Sequence, residues 1–286
     1  MHARPFLLHA LSPLHAGTGN AEGVIDLPIA RMKATGIPFV PGSSIKGVLR
    51  DARRDIDGEK TQAVFGSRDD PAAHAGALVV GDARLLALPV RSFHGTFAWV
   101  TSPLLLTLAL RDLGTAWPIP GLGVGEARVA SGLCVDNGKI YLEDLDLTAV
   151  ESNDARAWAQ HLAPLSSPGQ DIFTKRFVIV DDQTMTFLSE TATQVDTRVR
   201  IDERTRTVVP GALWLEESLP SETLLVGLLA AESSRRNGVR MTPQGVLDFA
   251  LPREQSLQLG GKASTGHGRC RIIPYTVDQE PPRASA

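Results

Sequence analysis

Two side chains near the start of the chain combine the chemistry needed to cut a phosphodiester. His15 follows an apolar run that ends at Leu14, and Asp26 lies in the Gly-rich stretch that comes next. RNA can be cleaved by its own 2′-OH, so an enzyme has to supply alignment, a proton acceptor and charge neutralisation. One carboxylate can also recruit a magnesium ion that RNA phosphates then share. His15 and Asp26 are therefore candidate catalytic residues, and Asp26 is the candidate metal ligand.

Each of these residues also has an ordinary structural interpretation. A lone loop carboxylate such as Asp26 commonly caps a backbone turn, and a lone histidine such as His15 is commonly a hydrogen-bonded structural residue. The residues by themselves leave both interpretations open.

Cationic residues near this loop favour a polyanionic partner. Between Arg31 and Arg54 the chain has six Lys or Arg residues against one acid, Asp51. Further clusters follow on predicted loops and a hairpin: Arg198, Arg200, Arg204 and Arg206; Arg235, Arg236 and Arg240; Lys262, His267, Arg269 and Arg271. The formal net charge is −3, but phosphate binding depends on local clustering. Any one cluster could be a solvated face, whereas together they make RNA the leading partner.

The segment after Pro41 predicts a helix that binds phosphate. It would run from Ser43 to about Ile56, with Ser43 or Ser44 as the N-cap. Apolar residues recur at helical spacing, so the outward face would carry the cations Lys46, Arg50, Arg53 and Arg54. A helix N-terminus offers free N–H groups and a positive dipole end to a phosphate. The serines and the four cations are therefore candidate RNA contacts.

A glycine-rich segment at 259–269 is the second candidate phosphate-binding element. Glycines let a backbone approach a phosphate closely and turn its N–H groups toward it. The candidate RNA-binding residues there are Gly260, Gly261, Lys262, Gly266, His267, Gly268 and Arg269. The alternative is a flexible hairpin turn. A Walker A loop is excluded, because no Gly-Lys-Ser/Thr ends the segment and no helix follows it.

Alternation in residues 195–210 predicts a half-exposed strand that turns into a hairpin. The apolar set would face one way and the polar set the other: Val195, Thr197, Val199 and Ile201 against Asp196, Arg198, Arg200 and Asp202. A polar turn at 202–205 would form the tip. Arg198 and Arg200 are therefore candidate RNA contacts on a projecting finger.

The remaining pattern is α+β, without the regular βα alternation of a parallel sheet. Strands are predicted at 5–14, 77–88, 92–100, 140–142, 177–180, 184–188, 224–231 and 270–275. Helices are predicted at 103–113, 153–162 and 243–249. Residues 114–132 predict a loop, and the Pro-rich tail after Val277 predicts disorder.

Composition narrows the class of protein. The two cysteines form no zinc motif, the N-terminus lacks a secretory signal, and no apolar run is long enough to span a membrane. We therefore expect a cytoplasmic protein without a membrane partner. Aromatic residues make up only 5 %, too few for a base-stacking surface, so RNA would be held through its backbone with little sequence preference.

Several of these segments together resemble the RAMP superfamily of CRISPR proteins, and most closely the backbone subunits of type III-B effector complexes. The segments are HALSPLHAGTG at 9–19, VIDLPIAR at 24–31, GIPFVPGSSIKGVLR at 36–50, GALWLEESLP at 211–220 and GGKASTGHGR at 260–269. The resemblance implies a ferredoxin-like (RRM-like) palm with insertions and a protruding β-hairpin thumb. It implies one domain over 1–276, with the palm at 1–194 and 211–276, the thumb at about 195–210 and a disordered tail at 277–286.

The resemblance also implies a function. Copies of such a subunit stack along a CRISPR RNA and cleave bound target RNA at regular intervals, in a reaction that depends on a divalent metal, Mg or Mn. Asp26 matches the family's cleavage residue, Lys46 and the PGSSIKG segment match guide-binding positions, and Glu217 matches a position linked to cleavage. The implied partners are CRISPR RNA, target RNA, further copies of the chain, a large polymerase/cyclase-like subunit, a small helical subunit and guide-tag-binding RAMP subunits.

Two alternatives remain open at this point. The chain could be a non-catalytic RNA-binding filament subunit, because Asp26 has no obvious second carboxylate beside it. It could also be a metal-independent enzyme that processes precursor CRISPR RNA, with His15 as acid or base.

Overall fold

The computed structural model describes residues 1–17, 24–67, 75–163 and 169–275. The strands in these ranges are β1 His2–Ala10, β2 Phe39–Val40, β3 Leu78–Val80, β4 Ala83–Arg91, β5 Phe97–Thr101, β6 Glu126–Val129, β7 Val135–Asp136, β8 Lys139–Leu142, β9 Leu145–Glu151, β10 Phe177–Val180, β11 Gln194–Ile201, β12 Val208–Ser218, β13 Leu224–Ala231, β14 Gln255–Gln258 and β15 Arg269–Pro274. The helices are α1 Gly42–Asp51, α2 Gly58–Phe65, α3 Pro103–Leu113, α4 Asn153–Leu162, α5 Gln170–Arg176, α6 Asp182–Thr191 and α7 Pro243–Ala250. The expected tail at 277–286 lies outside the described residues.

One large, mostly antiparallel sheet organises the chain, as the α+β prediction required. Its strand order is β14-β15-β1-β13-β4-β5-β10-β6-β9-β8-β7, and β2 and β3 pair with β4 and β13. β1 lies between β13 and β15 and is antiparallel to both. Among the described strands of this sheet, β10 with β5 and β6 with β9 are the parallel pairs.

β1 is apolar on both faces because both faces are covered by helices. Phe6 and Leu8 pack into a core that includes residues of α1 and α7, such as Ile45 and Val246. Leu7, between them, points the other way into a core built with α3, α4 and α5. Successive side chains of a strand alternate between faces, so a strand buried on both sides reads as a continuous apolar run. No open sheet face is left at β1 for bases to stack on.

β11 and β12 form a separate two-stranded hairpin. It is longer than predicted, and its inner strand continues to Ser218. The predicted alternation is present: Val199 and Ile201 are exposed, whereas Asp196 and Arg198 are half-buried. The polar face is the one that packs on the body, because it meets charged partners there.

Several predicted elements are confirmed, among them α3, α4, α7, β10 and β13. Others were wrong. The first strand ends at Ala10, before Pro13, which has no N–H for the ladder; the predicted loop at 114–132 contains β6. Residues 184–188 are helix rather than strand, because Asp181 caps α6 by accepting hydrogen bonds from the N–H groups of Gln183 and Thr184 at 3.1 and 3.0 Å.

Among the described residues, the structure contains no helix long and apolar enough to cross a membrane.

Candidate RNA-binding and cleavage site

Asp26 is held in place by the inner strand of the hairpin. The N–H of Leu215 donates to Asp26 Oδ2 at 2.7 Å. The loop then pairs with β12, since Leu27 N–H donates to Leu215 O and Glu217 N–H to Leu27 O, both at 3.0 Å. Asp26 itself is exposed, and its Oδ1 accepts no hydrogen bond from the described residues. One oxygen is thus fixed by the protein and the other is open to a ligand.

Glu217 fixes the same loop from its other side. It is buried, and Oε2 accepts a hydrogen bond from Ile29 N–H at 3.1 Å. Oε1 accepts from Arg31 Nη2 at 2.5 Å and from Thr193 Oγ1 at 2.8 Å. Arg31 also donates to the carbonyls of Gly36 and Ser189. Because both carboxylate oxygens are occupied, this geometry suits a residue that holds the loop better than one that contacts RNA.

His15 is oriented by a backbone carbonyl. Its Nδ1 lies 2.7 Å from Glu217 O, so Nδ1 carries the proton and donates it to the carbonyl. A neutral imidazole protonated at Nδ1 has its lone pair on Nε2. A Cβ at Gly17 would lie 2.6 Å from that nitrogen, so glycine leaves the basic edge of the ring free of a side chain.

Three predicted segments meet around one open cleft of about 290 Å³. The N-terminal loop contributes His15, Gly17, Leu27 and Pro28, the start of α1 contributes Ser44, and the Gly-rich loop contributes Gly260 and Gly261. The Gly-rich loop is far from the other two in sequence, and the antiparallel pairing of β1 with β15 brings it beside the N-terminal loop. Asp26 is next to Leu27 in the chain but does not itself line the cleft, and the role of these residues stays a prediction.

The start of α1 is built differently from the prediction. Pro41 is the N-cap, and neither serine caps the helix. Instead Gly42 N–H donates to Asp82 Oδ1 at 2.8 Å, and a Cβ at Gly42 would lie 2.3 Å from Val80 O. Only glycine lets the helix approach this turn so closely. Ser43 and Ser44 stay exposed. Ser44 N–H donates to Pro41 O at 3.0 Å, so among the described residues the Ser43 N–H is the donor of this turn left without an acceptor and open to an anion.

The four cations predicted on one face of α1 point to different places. The helix ends at Asp51 and the chain then turns, so Arg53 swings inward, where Nε donates to Phe249 O at 2.8 Å and Nη2 to Gln255 Oε1 at 2.7 Å. Burial, and then Arg253, lower the pKa of Arg53. Arg53 is therefore a structural residue, and its assignment to an outward basic face was wrong.

The other three cations stay near the surface. Lys46 is half-buried and its Nζ donates to Leu78 O at 3.1 Å; burial, and then Arg50, lower its pKa. Arg50 and Arg54 line a separate groove between α1 and α2, where Arg54 lies 3.3 Å from Asp51. A phosphate would have to compete with these partners for Lys46 and Arg54.

Glycine is required in the Gly-rich loop mainly by the conformation and close packing of the backbone. Gly260 and Gly268 have φ of +72° and +76°, and a Cβ on them would lie 2.3 Å from His15 O and 1.9 Å from Leu259 O. Gly261 and Gly266 border open space. Arg269 N–H donates to Ser12 Oγ at 2.9 Å, while its side chain is exposed. Close approach by the chain accounts for Gly260 and Gly268, and a φ of +82° accounts for Gly266, so Gly261 is the glycine of the four that remains available to a ligand.

Cations predicted to bind RNA from the hairpin and the Gly-rich loop are half-buried and pair with a buried carboxylate. Lys262 Nζ contacts Glu216 Oε2, and Arg198 Nε lies 3.6 Å from the same oxygen. Arg198 Nη2 also lies 3.0 Å from His267 Nε2. In contrast, Arg200 is exposed and makes no ion pair with the described residues. Sequence patterns did not reveal Glu216 as the common partner.

No group of three His, Cys, Asp or Glu side chains suited to a metal ion occurs within the described ranges. Asp26 offers Oδ1, which accepts no hydrogen bond from the described residues. The donor set fits a hydrated divalent cation that takes one ligand from Asp26 and others from RNA phosphates; it does not fit an all-protein metal cage.

Comparison with known proteins decides the family. A model described as RAMP superfamily matches residues 7–271. The chain is 34 % identical over 285 residues to the CRISPR system Cmr endoribonuclease Cmr4 of Pyrococcus furiosus, and the match covers 93 % of each chain. The chain belongs to the Cmr4 family of the RAMP superfamily. This confirms the resemblance drawn from its motifs.

Solved structures agree with this membership. Oligomeric Cmr4 from Pyrococcus furiosus superposes with a TM-score of 0.75 at 27 % identity, over 96 % of this chain and 98 % of that one. A chain of a type III-B Cmr-beta complex bound to cognate target RNA superposes with a TM-score of 0.76 at 21 % identity, over 96 % and 97 % of the two chains. The second likeness shows the fold alone.

Proposed function

We propose that the chain is the backbone subunit of a type III-B CRISPR effector complex, which stacks along the CRISPR RNA and cleaves bound target RNA. The observation that carries the proposal is the shared cleft, where the Asp26 loop, the N-terminus of α1 and the Gly-rich loop meet. The relatives support it, since Cmr4 of Pyrococcus furiosus is an endoribonuclease and has been crystallised as an oligomer. The other effector subunits named by the resemblance are its proposed partners.

Strand order supports the proposed ferredoxin-like palm. Along the chain, β1, α1, β4, β13, α7 and β15 follow one another as β-α-β-β-α-β, and the sheet order is β15-β1-β13-β4 with every neighbour antiparallel. That order is the one expected of a split βαβ palm. Residues 92–223 then form an insertion between β4 and β13, and the β11–β12 hairpin within it is the proposed thumb.

RNA in this proposal is bound mainly through its phosphates. The Ser43 N–H at the start of α1 and the open edge at Gly261 suit phosphate oxygens, and Arg50 and Arg200 add charge. At β1 the sheet is covered on both faces, so bases have no platform there. Such contacts carry little sequence information, as a subunit that accepts any guide requires.

Cleavage would use the 2′-OH of the target as nucleophile. His15 Nε2 is the basic nitrogen in the cleft and would accept the proton of that 2′-OH as its oxygen attacks the adjacent phosphorus. The P–O5′ bond breaks and the departing O5′ takes a proton from water, giving a 2′,3′-cyclic phosphate and a 5′-OH. A divalent cation on Asp26 Oδ1, when bound, would neutralise charge on the phosphate. Leu215 and Glu217 hold Asp26 and His15 for this step.

The proposal is tested with the assembled complex, a guide RNA and an end-labelled complementary target. We expect several products at a regular spacing, each ending in a cyclic phosphate, that vanish when EDTA removes divalent cations. A single product, or none with a complementary target, would contradict it.

A second candidate function rests on the orientation of His15. A histidine with its tautomer fixed could process precursor CRISPR RNA without a metal. Incubation of the chain alone with precursor RNA in EDTA separates the two functions, because only processing would survive there.

A further inference from the structure

Glu216 is a fully buried carboxylate to which the proposed cleavage step gives no role. Its side chain has no exposed surface, and it lies on β12 between Leu215 and Glu217. A buried carboxylate is costly unless cations compensate it. Its presence therefore calls for an account of what it is paired with.

Two cations from separate segments share this carboxylate. Lys262 comes from the Gly-rich loop and contacts Oε2, while Arg198 comes from β11 and lies 3.6 Å from the same oxygen. Arg198 is held in turn by Asp196 at 3.2 Å and by His267 Nε2 at 3.0 Å. His267 belongs to the Gly-rich loop, so the hairpin and that loop are joined twice.

Backbone pairing joins this network to Asp26. Leu27 bridges to Glu216 in parallel register, and the residues on either side of Glu216 hold the loop: Leu215 through Asp26 and Glu217 through Ile29. A shift of the β12 backbone at Glu216 would therefore move both supports of Asp26. Small displacements of this kind matter, because about 1 Å at a reacting group can change a rate about 100-fold.

We propose that Glu216 is a positioning residue, the shared counter-ion that fixes the Gly-rich loop and the thumb to the strand that holds Asp26. It follows that Lys262, Arg198 and His267, which are half-buried, serve this network and not RNA phosphates. This inference rests on the proposed function, because its main readout is target cleavage.

The test is Glu216→Gln, compared with wild type in complexes assembled on guide RNA. We expect the single-turnover cleavage constant at saturating target to fall at least about ten-fold, while target Kd changes by less than about two-fold. Glu151→Gln is the matched control, since Glu151 forms an exposed pair with Arg156 at 3.1 Å and should cleave like wild type. Unchanged cleavage by Glu216→Gln overturns the inference.

A double variant tests the pairing itself. Glu216→Gln already breaks the tie to Lys262, so adding Lys262→Met should change cleavage by less than about two-fold relative to Glu216→Gln, and a further, additive loss contradicts the pairing. If Glu216→Gln does not fold, Lys262→Met decides the matter: reduced cleavage with unchanged target Kd supports the inference, and wild-type cleavage contradicts it. An Asp26→Asn complex is run in parallel. If Asp26→Asn cleaves normally, the proposed function fails; if it is inactive while Glu216→Gln is normal, only this inference fails.

Discussion

Glu217 provides a sharp test of whether a residue near the cleft acts by chemistry or by holding its neighbours. Its carboxylate accepts hydrogen bonds from Ile29 N–H, Arg31 and Thr193, and it is buried. In Glu217→Gln one acceptor becomes an NH2 group that faces a donor. Loss of a charge-assisted bond in such a site costs about 1.5–3 kcal/mol.

This cost can be converted into a melting temperature. For a chain of this size, about 1 kcal/mol shifts Tm by about 2–4 °C, so Glu217→Gln should melt about 3–12 °C below wild type. Thermal unfolding followed by circular dichroism measures the shift, and single-turnover cleavage in the assembled complex measures activity. Both should fall together, because the Asp26 loop loses its support.

The control for this experiment is again Glu151→Gln. That residue forms an exposed pair with Arg156, and exposed pairs contribute at most about 1 kcal/mol, so its Tm should stay close to that of wild type. The reasoning is refuted if Glu217→Gln melts with wild type yet does not cleave, since Glu217 would then act on the reaction itself.

Three further predictions use other parts of the fold. Arg53→Met should destabilise the chain and leave the salt dependence of RNA binding unchanged, whereas Arg200→Met should keep the Tm and reduce the slope of log K against log[salt] by about 1; equal slopes for both variants would contradict this. Gly268→Ala should lower Tm or prevent folding, because its Cβ would meet Leu259 O at 1.9 Å with φ at +76°, while Gly261→Ala, in open space, should melt like wild type. Burial lowers the pKa of His161, so the folded state binds a proton less readily than the unfolded one and stability should be lost as pH falls below about 6.5; urea unfolding across this range should show the loss, and His161→Phe should reduce it.

The spacing of apolar residues correctly predicted the elements whose start and buried face are both encoded in neighbouring residues. α3 and α4 appear at the predicted residues, and both follow a serine that caps them, Ser102 and Ser152. The alternation in 195–210 likewise predicted a hairpin. In each case the local sequence contains both the periodicity and the turn or cap, so no distant contact is needed.

Predictions failed where a distant contact decides the outcome. Lys262 and Arg198 were predicted to contact RNA because their neighbours in sequence give no sign of an ion-pair partner. Glu216 is distant from both in sequence, and only the fold brings the three together. The same contact also makes the polar face of the hairpin pack on the body and leaves its apolar face exposed. Arg53 was misplaced because α1 ends at Asp51, one turn earlier than the apolar spacing suggested.

The predicted site residues lie near one another in the fold, and their role in RNA binding and cleavage stays a prediction. The residue types of His15, Asp26 and the two Gly-rich segments indicated phosphate chemistry, and the fold places them around or beside one cleft. What sequence could not supply is the set of residues that hold them, such as Leu215, Thr193 and Asp82. These act through backbone hydrogen bonds or single side chains that carry no recognisable motif.

The central claim is that Asp26 serves target cleavage from a loop held on β12. The most direct measurement is single-turnover cleavage of a saturating complementary RNA by complexes assembled with wild-type chain or with Asp26→Asn, with target Kd measured for both. The amide keeps the acceptor for Leu215 N–H but removes the charge, so cleavage should fall by at least about 100-fold while Kd changes by less than about two-fold. Cleavage by Asp26→Asn at the wild-type rate, with the target fully bound, would contradict the account.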